Sequence, residues 1–212
     1  MRRSRRALLT TGGAFIVIGL LTLLAPASVR ASTDAAAAAT AFIDKLSDQA
    51  IQALTQPDLP KEERERRARA LLRENFAVAT IGQFVLGRYW RIATPEERQE
   101  YLQLFEDMII ATYIERFSRY AGERLEVSGA RAIEGGNDQL VETRIVRTGA
   151  APVQVGWRVR NDGGQWKIVD VVVEGVSMGQ TQRSEFASVI QNRGGSVAAL
   201  LEEMRRRVKG SA

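Results

Sequence analysis

GGQWKIVDVVVEGVSMGQTQRSEF, residues 163–186, contains the strand around which the chain is predicted to fold. It opens with a Gly-Gly turn, continues as an apolar strand and ends in a polar segment that begins a helix. A strand with one wet face alternates apolar and polar residues, whereas this one is almost continuously apolar and β-branched. Both of its faces are therefore expected to be covered, one by core helices and the other by a cavity or a further layer.

The composition excludes several kinds of chemistry. The 212 residues include no cysteine and no histidine, which rules out disulfides, thiolate nucleophiles, imidazole catalysis and the usual zinc ligands. The net charge of +5 comes from five arginines among the first 31 residues, beyond which 25 basic residues face 25 acidic ones. A nearly neutral chain of this kind gives no reason to expect nucleic-acid binding.

The N-terminus has the layout of an export signal. Residues 1–6 are basic, residues 7–24 are mostly apolar, and Val29 and Ala31 place small residues at positions −3 and −1 before Ser32. Residues 4–9 also resemble a twin-arginine signal. An uncleaved membrane anchor is the competing interpretation. We expect residues 1–31 to be a cleaved signal peptide and residues 32–212 to form a single domain.

Helical periodicity dominates the first part of that domain. Apolar residues at three- and four-residue spacing predict helices over 34–54, 61–75, 76–91 and from Thr94 to about Tyr120. Thr94 and Glu97 form a capping box at the start of the fourth helix. The apolar surface of this helix is too wide for one buried side, so it is expected to be buried on several sides or to line an apolar cavity.

After residue 120 the apolar residues recur at every second position, which is the spacing of a strand. Strands are predicted over 124–133, 139–148, 152–160 and 166–176, separated by Gly-, Asn- and Asp-rich turns. In the third strand Val155 and Trp157 face one way and Arg158 the other. Two helices, 183–192 and 196–208, complete the chain. The predicted fold is α+β, with a four-stranded antiparallel sheet and helices packed on it.

Two carboxylates in the apolar strand are the candidates for catalysis. Asp170 and Glu174 lie about 13 Å apart along a strand, which exceeds the separation of about 5–9.5 Å in a glycosidase pair. Either one alone in an apolar pocket could act as a base with a raised pKa. The alternative is that each pairs with an arginine or a backbone amide. The sequence contains no nucleotide-binding fingerprint.

The helices and strands carry more apolar residues than a sheet with one solvent-exposed face would bury. These residues form a filled core or surround a lipid cavity, and both interpretations stay open from the sequence. The candidate pocket residues are Phe84, Val85, Trp90, Tyr101, Phe105, Met108, Ile109, Tyr113, Val155, Trp157, Val172 and Val176.

Two segments resemble those of a known family. Residues 84–98, FVLGRYWRIATPEER, and residues 166–177, WKIVDVVVEGVS, are similar to the MlaC family, also called the toluene-tolerance Ttg2D family. The resemblance extends to Arg183, Phe186 and the Gly194-Gly195 pair. One departure is Ala77, which follows Phe76 where the family often has aspartate, and which removes a helix N-cap.

The resemblance implies a periplasmic phospholipid-binding protein that is not an enzyme. Family members shuttle lipid between an outer-membrane lipoprotein complex and an inner-membrane ABC transporter carrying an MCE-domain protein, which maintains outer-membrane lipid asymmetry. The implied fold is a twisted antiparallel sheet with helices around a deep apolar pocket, an NTF2-like layout. The resemblance further implies a monomer without a cofactor, with phospholipid as cargo. A hopanoid or another lipid is an alternative cargo, and a small-molecule enzyme using Asp170 or Glu174 is an alternative function.

Burial of an acyl chain is energetically sufficient for such a role. A chain of about 15 methylene groups gains roughly 12 kcal/mol on leaving water, at about 0.8 kcal/mol per methylene. A carrier must therefore shield nearly the whole tail, while the headgroup can remain at the mouth. Arg88, Arg91 or Arg158 are candidates to contact its phosphate.

Overall fold

The computed structural model describes residues 27–120, 122–133 and 137–210, with side chains described from residue 33 onward except at 115, 116 and 118. Most of the predicted export signal therefore lies outside the described residues, and its cleavage stays a prediction. No helix in these ranges has both the length and the apolarity needed to cross a membrane.

Six α-helices, one 3₁₀ helix and five strands make up the described chain. The helices are α1 Ala27–Leu54, α2 Lys61–Asn75, α3 Val78–Leu86, the 3₁₀ helix Gly87–Arg91, α4 Pro95–Ser118, α5 Met178–Asn192 and α6 Val197–Gly210. The strands are β1 Arg124–Ala132, β2 Asp138–Arg147, β3 Ala150–Asp162, β4 Gln165–Val173 and β5 Val176–Ser177. The capping box is confirmed, since the amides of Thr94 and Glu97 each donate to the other residue's side chain, at 2.9 and 3.2 Å.

The sheet is an antiparallel meander in the order β1-β2-β3-β4-β5. The α+β prediction is confirmed, but the prediction of four strands is wrong because the segment read as one strand over 166–176 reverses direction. Glu174 and Gly175 have φ values of 49° and 80°, and two such residues in succession form a tight two-residue hairpin. Glutamate seldom adopts positive φ, so a turn at this position is only weakly indicated by residue type.

Register assigns the sheet residues to two faces. Val155 pairs with Thr143 and Val173, and Trp157 pairs with Val141 and Val171. Side chains of directly paired residues share a face, so these residues define what we call the apolar face of the sheet. The opposite face carries Leu140, Arg158 and Asp170, which are paired with one another across β2, β3 and β4.

The buried residues form two clusters. In the sheet cluster, Ala39, Ile43 and Leu46 of α1 pack on the apolar face at Val141, Val159 and Ile168. The helical cluster joins α3, α4, α5 and α6 away from the sheet. Its largest fully buried side chains are Tyr101, Phe186, Leu86, Ile190, Leu200, Leu201 and Met204.

An ion-pair network fixes α2 against α4. Arg69 bonds to Glu106 and Asp107, both at 2.7 Å, and Arg73 approaches Glu106 at 2.9 Å. Burial acts to raise the pKa of Glu106, but the hydrogen bonds from Arg73 and Arg69 outweigh it and hold that pKa below its usual value. The carboxylate therefore stays charged and locks the first half of α4 in place.

Asp138 is expected to make stability pH-dependent. It is buried and accepts hydrogen bonds from Arg160 and Arg158, both at 2.6 Å. The bond from Arg160, reinforced by that from Arg158, holds the pKa of Asp138 below its usual value against the opposing effect of burial. A lowered folded pKa contributes stability that is present above the unfolded pKa and is lost as pH falls through the folded value.

Asp138→Asn should therefore lower the free energy of unfolding by about 2 kcal/mol at pH 7. The deficit should shrink as pH falls below the unfolded pKa of aspartate, about 3.9, because the unfolded wild-type carboxyl then binds a proton that the ion-paired folded carboxyl does not. Urea denaturation between pH 7 and pH 3 measures both effects. Asp58→Asn, in an exposed turn, is the control. A deficit that stays constant over this range would contradict the assignment.

Candidate functional site

The middle strand of the sheet has the least helical cover. Helix α1 packs on β1 and β2, whereas α2, α3 and α5 pack on β4. Over the described part of the chain, no helix makes an extensive contact with β3, and α4 packs extensively on α1, α2, α3 and α6 but on no strand. The apolar face at β3 and the side of α4 that the helical cluster does not use are therefore the candidate walls of an apolar space.

Helix α4 is apolar on two opposite sides. At 100° per residue, positions nine apart point in opposite directions, so Ile110 lies opposite Tyr101 and Ile114 lies opposite Phe105. Tyr101 and Phe105 belong to the helical cluster. Ile110 and Ile114 are also buried, yet they are in neither cluster. This arrangement explains why the apolar surface of the helix looked too wide in the sequence.

The sheet residues facing this space become more exposed toward one end. Val155 is buried but is in neither cluster, Val153 and Val173 are half-buried, and Val176 is 53% exposed. Register places all four on the apolar face. Tyr113, on the second half of α4, is 40% exposed. We call the region bounded by these residues with Ile110 and Ile114 the β3–α4 space.

The structure divides the predicted pocket residues among several places. Val85, Tyr101 and Phe105 are buried in the helical cluster, and Trp90, Met108 and Ile109 pack against it. The Tyr101 hydroxyl donates to the carbonyl of Gly82 at 3.0 Å, and burial raises the pKa of this tyrosine. These six side chains therefore act first as packing for α3, α4 and α5.

The other predicted pocket residues lie nearer the sheet. Val155 and Trp157 share the apolar face, whereas Val172 pairs with Gly156 on the opposite face. Phe84, Tyr113 and Val176 are exposed at 44%, 40% and 53%. Val155, Tyr113 and Val176 adjoin the β3–α4 space, and Val172 does not.

Sequence reasoning missed several residues of the β3–α4 space. Ile110 and Ile114 were not among the predicted pocket residues, although the apolar surface of this helix was expected to be wider than one buried side. Their nine-residue offset from Tyr101 and Phe105 was the available signal. Val153 and Val173 share a face with Val155, but only the register of β4 reveals this for Val173.

Asp170 caps helix α5. One carboxylate oxygen accepts from the amides of Val171 and Gly179, at 2.9 and 3.0 Å, and the other accepts from the Ser177 hydroxyl at 2.6 Å. The Ser177 hydroxyl in turn accepts from the amide of Gln180. The carboxylate thus accepts hydrogen bonds from donors at the start of the helix. Pairing with backbone amides was the predicted alternative to a catalytic role.

Glu174 joins β3 to the hairpin. Its amide donates to the carbonyl of Gln154 at 3.0 Å, and its carboxylate accepts from the amide of Gln154 at 2.7 Å. Both backbone groups of one β3 residue are therefore held by Glu174. Each candidate base consequently has a structural task that does not require a substrate.

Asp170→Asn should destabilise the protein by about 1 kcal/mol and Asp170→Ala by about 2 kcal/mol, because the helix loses part or all of its cap. Neither substitution should change the amount of lipid that co-purifies. Urea denaturation and lipid extraction of the same samples measure the two effects. Asp162→Asn, at the exposed end of β3, is the control. A loss of lipid without a loss of stability would point to a direct role for Asp170 in ligand chemistry.

A second concave region is an open groove of about 500 Å³ on the helical side. It is lined by Thr80, Gln83, Phe84, Gly87, Arg88, Trp90, Arg91 and Arg183. Arg88 and Arg91 were candidates for phosphate contact, and the structure places both here. Arg158, the third candidate, is on the opposite face of the sheet and is bonded to Asp138.

The fold defines a class of protein: an α+β chain in which helices pack on an antiparallel sheet, with buried apolar residues of β3 and α4 outside the two core clusters. Residues 44–206 match the family model described as MlaC protein. The chain belongs to the MlaC family.

Individual relatives agree with this assignment. The intermembrane phospholipid transport system binding protein MlaC of Haemophilus influenzae is 25% identical over 116 residues, 53% of this chain and 54% of the relative. The toluene tolerance protein ttg2D of Pseudomonas putida is 29% identical over 107 residues, 50% and 49% of the two chains. The chain thus aligns with about half the length of these relatives.

A solved structure covers more of the chain. A phospholipid-binding protein from Ralstonia solanacearum, determined in complex with a phospholipid, superposes with a TM-score of 0.72 at 25% identity. The match covers 82% of this chain and 98% of that protein. The α+β fold is therefore shared almost throughout.

Proposed function

We propose that this protein binds a phospholipid and carries it through the periplasm. The observation that carries the proposal is a set of apolar residues on β3 and α4, Ile110, Ile114 and Val155, which are buried outside both core clusters. Family membership and the phospholipid-bound structural relative support the same function. We place the acyl chains between β3 and α4, with the headgroup toward the exposed end at Tyr113 and Val176.

The apolar lining suits this cargo. A tail of about 15 methylene groups gains roughly 12 kcal/mol when it is fully shielded, and uncharged aliphatic walls provide that shielding without hydrogen-bond requirements. Aliphatic side chains line both walls, since β3 and β4 supply valines and α4 supplies isoleucines. No polar partner has to be provided for the tail.

The cellular setting forms part of the proposal. After export and removal of residues 1–31, the protein would shuttle as a monomer between an outer-membrane lipoprotein complex and an inner-membrane MCE-domain ABC transporter. This traffic would maintain outer-membrane lipid asymmetry and require no cofactor. The enzymatic alternative is not favoured, because Asp170 and Glu174 are both engaged by backbone amides.

Native mass spectrometry of protein purified without detergent, with lipid extraction of the same sample, tests the proposal. A co-purifying phospholipid at near-stoichiometric amount is expected. A hopanoid instead would keep the carrier function and change the cargo. A lipid-free mass that stays unchanged after incubation with liposomes would refute lipid carriage.

A further inference from the structure

The groove on the helical side concentrates positive charge that no carboxylate neutralises. Arg88, Arg91 and Arg183 all line it. Among the described residues none of the three is paired with an acidic side chain, although arginines elsewhere form many such pairs, including Arg69, Arg160 and Arg207. Arginines that line one groove without counter-charges repel one another, and a bound anion would relieve that repulsion.

The Arg183 guanidinium is held in a fixed position. It lies over the Phe84 ring, 5.1 Å from the ring centroid. It also lies against Gly87, where an added Cβ would be 3.0 Å from the arginine Nε. Gly87 has a φ of 59°, a conformation that side chains with Cβ rarely adopt, so glycine provides both the turn and the room. The planar guanidinium is thus oriented before any ligand arrives.

The remaining walls suit an organic phosphate. Phe84 is 44% exposed and Trp90 lies beside it, which gives the groove an apolar surface. Thr80 and Gln83 offer hydrogen-bonding groups. The volume of about 500 Å³ is in the range of small-molecule sites. Guanidinium groups match phosphate oxygens in geometry as well as in charge.

We propose that this groove is a binding site for phosphate esters, separate from the β3–α4 space. The ester is either the headgroup of a membrane phospholipid or a soluble phosphate ester, which share the same anionic group. The Arg183 fork and the charges of Arg88 and Arg91 hold the phosphate, and Phe84 and Trp90 contact the organic part. The site does not depend on the carrier function.

Calorimetric titration with glycerol 3-phosphate at low salt, using the purified protein, is the first measurement. We expect saturable binding that weakens as salt is added, because ions screen the exposed charges. Each lost charged hydrogen bond should weaken binding roughly tenfold. Combined replacement of Arg88, Arg91 and Arg183 by glutamine should therefore weaken binding at least about 100-fold. Arg183→Lys keeps the charge but loses the planar fork, and should weaken binding about tenfold.

The matched control removes the same charge elsewhere. Arg124, Arg131 and Arg144 lie on β1 and β2, and each is paired with a glutamate. Their combined replacement by glutamine should change affinity less than about threefold. Equal losses in both triple variants, or no binding by the wild type to either glycerol 3-phosphate or vesicles, would overturn the proposal.

Co-sedimentation with phosphatidylglycerol and phosphatidylcholine vesicles identifies the source of the phosphate. If the protein sediments with phosphatidylglycerol vesicles and glycerol 3-phosphate prevents this, the ligand is a lipid headgroup. Binding of glycerol 3-phosphate without sedimentation assigns a soluble ester. Lipid extraction separates this site from the carrier function, because the groove variant should retain its bound phospholipid. A wild-type protein without lipid would refute carriage and leave groove binding standing.

Discussion

Val155→Trp should remove most of the bound phospholipid and leave stability nearly unchanged. Val155 is on the apolar face at β3, where no helix of the described residues packs extensively, and it is buried outside both core clusters. The larger side chain would occupy space that the acyl chain needs, displacing roughly three methylene groups at about 0.8 kcal/mol each. That loss corresponds to roughly 50-fold weaker lipid binding.

The same substitution at Val141 is the matched control. Val141 lies on the same face, but it is fully buried against α1 in the sheet cluster. Because a filled core has no room for an indole ring, Val141→Trp should cost about 1–3 kcal/mol or more of stability. Lipid extraction and urea denaturation are run on both variants. If Val155→Trp is equally destabilised and retains lipid, the β3–α4 space is filled core and the acyl site lies elsewhere.

Tyr101→Ala should lower the free energy of unfolding by about 4 kcal/mol. The side chain is fully buried and stacks on Phe105, with ring centroids 5.8 Å apart. Edge-on contacts with Trp90 and Phe186 tie α4 to the 3₁₀ helix and to α5. Truncation leaves a cavity at the centre of the helical cluster, and replacing a buried aromatic residue by alanine costs about 3–5 kcal/mol.

Tyr101→Phe separates packing from hydrogen bonding. It keeps the ring but leaves the Gly82 carbonyl without its hydroxyl donor, which should cost about 1 kcal/mol. Chemical denaturation gives both values. A cost for Tyr101→Ala below about 2 kcal/mol would mean that the helical cluster collapses around the gap or was not tightly packed. Lipid content measured on Tyr101→Phe reports whether this tyrosine also contacts the cargo.

Local chemistry made much of the fold predictable. The capping box at Thr94 and Glu97 marks the start of α4, and the glycine-rich turns mark the ends of the strands, because each depends on residues close together in sequence. Alternation in β3 predicted which side Val155 and Trp157 would share, and the register agrees. The β4–β5 hairpin was missed because its turn begins with a glutamate at positive φ.

The candidate site was only partly predictable. Apolar character identified Val155 and Tyr113 as candidates but could not distinguish them from Tyr101, because buried packing and cavity lining use the same residue types. The register shift between Arg158 and Val159 puts Ile168 on the apolar face, although Asp170 and Val172 of the same strand face the other way. Such a shift depends on the partner strand and leaves no mark in the strand's own alternation.

The sequence by itself determined the order of the helices and strands, the exclusion of cysteine and histidine chemistry, and the resemblance to a family. These depend on residue type and on spacing of a few positions. Only the tertiary structure decided that α4 serves two apolar regions, that β3 lacks close helical cover, and that Arg183 is held against Phe84 and Gly87. Each of these brings together residues distant in the chain, and their contacts are set by how whole elements pack.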